Sequence, residues 1–197
     1  MASIISASTT SATALNLSGD TTGILQLATG ATPTTAVTID ASQNVTFVKA
    51  INKSALPTGS VLQVVQGTLT TTVSTSSSSF VTTGLTASIT PLSSSNKILI
   101  IVNGTGDTLV LGQQIVSTIY RSSTNLASST NAFTNNYGQS SRVIANMGMS
   151  YLDSPSTTSS TTYTAYFASE TGGTVTFNQS PSIGTSVATI TLMEIAA

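Results

Sequence analysis

Apolar residues recur at alternate positions from residue 15 onward. "LNL" begins at Leu15, "LQL" at Leu25, "VTI" at Val37 and "VTF" at Val45, each a pair of apolar side chains flanking one polar residue. A period of two marks a strand with one face toward apolar surroundings. Between these units lie "SGDTTG", "ATGATPTT" and "DASQ", whose Gly, Pro, Asp and Thr supply turn geometry. Four short strands are therefore predicted between Leu15 and Phe47, with too few apolar side chains to close a core alone. The missing cover is expected from copies of the same segment. Leu15, Leu17, Leu25, Leu27, Val37, Ile39, Val45 and Phe47 are expected to form the core of a repetitive β shaft in which three chains intertwine, with the polar alternates facing water.

In "SALPTGS", Ser54 to Ser60, Pro57 and Gly59 interrupt strand pairing and set an expected boundary. Residues 1–57 form the attachment segment and shaft, and residues 58–197 a second domain. Beyond the boundary the units lengthen, with strands expected over 60–74, 79–91, 97–105, 113–123, 141–154, 161–169, 173–179 and 187–195. "KILIIV", from Lys97, is apolar on both faces and belongs at the centre of a sheet. About eight antiparallel strands separated by turn signals read as a β-sandwich or jelly-roll head.

Composition sharpens this picture. Ser and Thr make up about a third of the chain, well above ordinary usage, and Thr suits the solvent face of a strand. The fold class is all-β. Charged residues are only 6% of the 197 residues and the net charge is −1, which leaves neither a basic footprint for nucleic acid nor a polybasic patch for membranes. The longest oily run, "ILIIV" from Ile98, is too short to span a bilayer, and "MASIISASTT" lacks the basic and apolar regions of a Sec-type signal.

Catalytic ingredients are sparse. With no His and no Cys, Ser-His-Asp and Cys-His arrangements, His-ligated metals and disulfides are all excluded. The carboxylates Asp20, Asp40, Asp107, Asp153, Glu170 and Glu194 are scattered. Ser is too frequent for its adjacency to Lys53 to indicate a Ser-Lys dyad. "NGTGDT", Asn103 to Thr108, is read as a strand-connecting turn rather than a calcium loop. No enzymatic activity, cofactor or metal is expected. Glu194 shares a strand face with Ala188, Ile190 and Leu192, so it either points inward, with Arg121 or Arg142 as the expected partner, or lies exposed at a fraying end. Tyr120 and Arg121 are read as strand-end packing.

"TNAFTNNYGQSSR", Thr130 to Arg142, concentrates amides and aromatics between strands. Amides both donate and accept, and a Tyr ring stacks while its hydroxyl bonds, the mixture used by adaptable binding loops. Asn135, Asn136, Tyr137, Gln139 and Arg142 are the candidate receptor-binding residues. The alternative is a solvated connector with Phe133 packed beneath it.

The run "LNLSGDTTGILQLATGATPTTAVTIDASQNVTF" resembles repetitive segments near the start of tailed-phage virion fibre proteins. "STSSSSFVTTGLTASITPLSSSNKILIIV", "TIYRSSTNLASS", "SYLDSPSTTSSTTYTAYF" and "TITLMEIAA" are similar to the β-sandwich heads of the same group, shared among tail fibres, head fibres and capsid decorations. The resemblance implies a homotrimer without enzymatic activity on the external surface of a phage particle. It further implies contact with other virion proteins through the N-terminus and with a host-cell glycan or protein. Longer fibres begin with a dedicated anchoring domain, whereas here the repeats start almost at once. Either "MASIISASTT" docks on the virion or a partner supplies the anchor, which keeps a capsid-decoration role open as the alternative.

Overall fold

The computed structural model describes residues 24–29, 32, 34–48, 53, 56–109, 111–128, 130–139, 142–180 and 184–197. The chain divides into two compact units, Met1–Ala55 and Leu56–Ala197. Among the described residues there is no α-helix.

In the first unit, β1 (Leu25–Thr29), β2 (Thr34–Ile39) and β3 (Val45–Phe47) pair in that order as an antiparallel meander. The register aligns Leu25 with Ile39 and Ile39 with Val45, and likewise Leu27 with Val37 and Val37 with Phe47. Directly opposed residues share a face. One face of this sheet therefore carries six apolar side chains in two rows, while Gln26, Thr38 and Thr46 occupy the other. The β2–β3 turn is tied by Asp40, whose Oδ1 accepts from the backbone N–H of Ser42 (2.8 Å) and of Asn44 (2.9 Å). The Asn44 side-chain amide donates to its Oδ2 (3.0 Å), and this bond does most to hold the carboxyl below its ordinary pKa. The strand expected at Leu15 and Leu17 as part of a shaft lies outside the described residues.

The second unit is an antiparallel β-sandwich. Its strands are β4 (Val61–Leu69), β5 (Val73–Thr75), β6 (Val81–Ile89), β7 (Lys97–Asn103), β8 (Thr105–Asp107), β9 (Gln114–Arg121), β10 (Thr124–Asn125) and β11 (Thr134–Tyr137). They continue with β12 (Ile144–Asn146), β13 (Met149–Asp153), β14 (Thr161–Ser169), β15 (Val175–Phe177), β16 (Gln179–Ser180), β17 (Gly184–Thr185) and β18 (Ala188–Ile195). One sheet runs β13-β7-β18-β4. A second runs β10-β9-β14-β6, with β11 also on β9. A third, of short strands, runs β12-β8-β15-β5, and β16 pairs with β17. The inward residues Ile98, Ile100, Val102, Ile190 and Leu192 of the first sheet belong to one core with Leu85, Ile119, Tyr163 and Phe167 of the second. β7 is interior to its sheet, in keeping with its two-sided apolar pattern.

Three stretches read as single strands are each broken in two, and each half joins a different sheet. Residues 60–74 split into β4 and β5, 97–105 into β7 and the start of β8, and 141–154 into β12 and β13. "NGTGDT" is accordingly not a chain-reversing turn: Asn103 ends β7, Gly104 is the corner and Thr105–Asp107 is β8. A Cβ at Gly104 would lie 2.5 Å from Cζ of the fully buried Phe177, so only glycine lets the backbone pass the ring. Gly106 is pressed in the same way onto the side chain of Met147.

Candidate functional site

Among the described residues three carboxylates are buried, and each is held by structural bonds. Asp107, at the end of β8, accepts from Arg142 Nε at 2.9 and 3.1 Å and from Arg142 Nη2, and takes the backbone N–H of Leu109 at 2.9 Å. With its amide turned to satisfy both groups, Gln179 bridges the pair, its nitrogen 3.2 Å from Asp107 and its oxygen 3.2 Å from Arg142. The bond to Asp107 raises the pKa of Arg142 against an opposing effect of burial. Asp153, at the end of β13, accepts from Arg121 Nη1 at 2.8 and 2.9 Å and from the hydroxyl of Tyr163 at 2.7 Å. Because Tyr163 and Arg121 belong to the opposite sheet, this cluster bolts the two layers together. Burial, and secondly Asp153, pushes the Tyr163 pKa well above its ordinary value of 10.0.

Glu194 points inward, yet neither arginine reaches it. Gln63 Nε2 donates to it at 2.5 Å, Asn96 Nδ2 at 2.6 Å and the backbone N–H of Leu92 at 2.7 Å. The arginines expected as partners are spent on Asp107 and Asp153, and amide donors from β4 and the 90–96 loop take their place. Three N–H groups converging on one carboxylate offset much of the cost of burying it. Among the described residues, no three His, Cys, Asp or Glu side chains lie together as a metal site would require. No helix among them is long and apolar enough to cross a membrane.

The strand alternation of β11 divides the 130–142 candidates. Asn135 pairs with Val116, and Tyr137 with Gln114; both are exposed, as is Gln139. Asn136 faces the other way and donates to the carbonyls of Val143 (3.4 Å) and Gly106 (3.5 Å). Arg142 is the partner of Asp107. Asn136 and Arg142 thus fasten the segment to the sandwich, and Asn135, Tyr137 and Gln139 remain outward. Phe133 packs against the core with its ring centroid 5.3 Å from that of Tyr151.

Beside Asn135 the outer face of the second sheet opens into a cleft of about 490 Å3. Its walls include Phe80, Gln114, Thr130, Asn131, Asn135 and Glu170, with Val116 and Ala168 at the floor positions of β9 and β14. Phe80 meets Tyr120 edge-on (centroids 6.3 Å apart, planes at 65°), and Tyr120 stacks on Tyr166 at 4.0 Å and 27°. Tyr166 aligns with Thr118 and Tyr120 with Thr164, all on the outward side of their strands. Of the five sequence candidates only Asn135 lines this cleft, and Phe80, Gln114 and Glu170, which also line it, were not singled out for binding.

Among the described residues, apolar side chains are exposed on one face of the meander and on one face of the sandwich's first sheet. On the meander, Leu25, Leu27, Val45 and Phe47 are 38, 37, 53 and 51% exposed, and Val37 and Ile39 half-buried. On the outward face of the sandwich's first sheet, Leu152, Leu99, Met193 and Val64 align as one row across four strands. The ends of that row, Leu152 and Val64, are 47 and 56% exposed.

Comparison with known proteins adds little that is specific. No protein-family profile and no curated protein sequence matches the chain. Among solved structures, a chain in "Structure of infectious bursal disease virus Gx strain" aligns at a TM-score of 0.38 and 12% identity, over 88% of this chain and 46% of that one. The present chain therefore spans less than half the length of that neighbour.

Proposed function

We propose that this chain is a non-enzymatic structural protein of a virus particle: a homotrimeric tailed-phage fibre component on the external surface. In this reading its N-terminal unit self-associates and contacts other virion proteins, and its sandwich projects and contributes to host attachment. The observation that carries this reading is the apolar face of the meander. A three-stranded sheet with strands of 3–6 residues must bury its apolar face against another layer, and six aligned apolar side chains on one face specify what kind of layer. Copies of the same chain supply it without any charge to neutralise. The sequence resemblance to phage fibre proteins agrees with this arrangement.

A second reading is capsid decoration, in which the same apolar face docks on a shell protein and the head has no receptor role. The two are separated by labelling intact virions with gold-conjugated antibody against the sandwich. Gold on projecting fibres supports the first reading, and gold distributed evenly over the shell supports decoration. Virions without the chain would contradict both.

A further inference from the structure

We propose that the cleft between β11 and Phe80 binds a neutral oligosaccharide, a proposal that rests on the attachment reading and gives it a ligand class. The cleft volume falls within the range of small-molecule sites, roughly 300–1,000 Å3. Its walls supply what a sugar needs. Phe80 offers an apolar ring for the C–H face of a pyranose, while Gln114, Asn131 and Asn135 offer amide donors and acceptors for the hydroxyls at its rim. The exposed carboxylate of Glu170 accepts from two neighbouring hydroxyls.

Charge decides between classes of glycan. No Lys or Arg is among the lining residues, so an anionic sugar or phosphate would meet Glu170 with no cation to offset the repulsion. Tyr120 and Tyr166 stack on each other and Phe80 meets Tyr120 edge-on, so of these three rings Phe80 is the one that lines the cleft. The cleft lies on the face of the sheet rather than along a strand edge, so it does not present the backbone ladder that an extended peptide would use. Three copies of a shallow, weak site are enough on a repetitive cell surface, because linked contacts multiply.

The test applies fluorescently labelled full-length protein to a printed array of neutral, sialylated and phosphorylated oligosaccharides. Retention confined to neutral glycans is expected. Phe80→Ala, Asn135→Ala and Glu170→Gln should each weaken it about ten-fold or more with the melting temperature of the last two unchanged. Absence of binding to every neutral glycan, preference for acidic ones, or wild-type binding by both Asn135→Ala and Glu170→Gln would overturn the proposal. Binding of the same protein to the cells the virus infects distinguishes the two levels of failure. Binding that survives periodate oxidation of the cells but not protease overturns the sugar ligand and leaves attachment standing, whereas absence of binding to untreated cells overturns both.

Discussion

Tyr163 joins the two layers of the sandwich through one hydroxyl, and its protonation should be visible in stability. Its folded pKa lies above its ordinary value of 10.0, so the neutral phenol is the form the fold favours. The contribution is complete below that ordinary value and is lost as pH rises past it toward the folded pKa. Tyr163→Phe removes a hydrogen bond to a charged group and should cost about 1.5–3 kcal/mol near neutrality. In urea titrations between about pH 8 and 11.5, the variant should lose less stability above pH 10 than the wild type does. An identical alkaline decline in both proteins would assign it to other groups. Alternation with Ile190 and Leu192 left Glu194 either inward or exposed at a fraying end, and the fold turns it inward. Its partners were not legible, because Gln63 and Asn96 are brought to it by pairing across more than ninety residues of chain. The same limit applies at β11: residues 130–142 were read as a connector, and pairing with β9 makes the strand that turns Asn135 and Asn136 opposite ways.

At the level of elements, the long strands were readable, but β10 and β11, the latter inside the stretch read as a connector, were not, and neither was strand continuity. β14 spans the residues its alternating pattern predicts, Thr161–Ser169, because hydrophobic period and burial agree along its whole length. The corners carry no such signal. Gly104 and Gly106 look like turn residues in a sequence, whereas in the fold they let one strand leave its sheet and enter another past Phe177 and Met147. Gly104→Ala should therefore destabilise the protein by about 1–3 kcal/mol, since the fully buried Phe177 has no free space into which to move. Chemical denaturation of the variant checks this, and an unchanged midpoint would mean that the corner can relax. The cleft was half legible for a related reason: Asn131 and Asn135 come from the loop itself, whereas Phe80 and Glu170 are added by strands remote in sequence.

At the scale of the whole molecule, the account depends on apolar surface that one chain leaves uncovered. Leu25, Leu27, Val37, Ile39, Val45 and Phe47 form one face of the meander, and the row from Leu152 to Val64 crosses the sandwich. Monomeric proteins rarely expose apolar patches of this continuity. The chain's few charges, 6% of residues, provide little electrostatic barrier to association. The apolar spacing from Leu25 to Phe47 made the need for cover readable from sequence; the in-chain pairing that gathers those residues onto one face was not. The most direct measurement is the solution mass of the full chain by light scattering at about 0.15 M salt. A homotrimer of about 60 kDa is expected, reduced to smaller species when Leu25 and Leu27 are both replaced by Asp. A single species of 19.9 kDa that persists as concentration is raised would contradict the account.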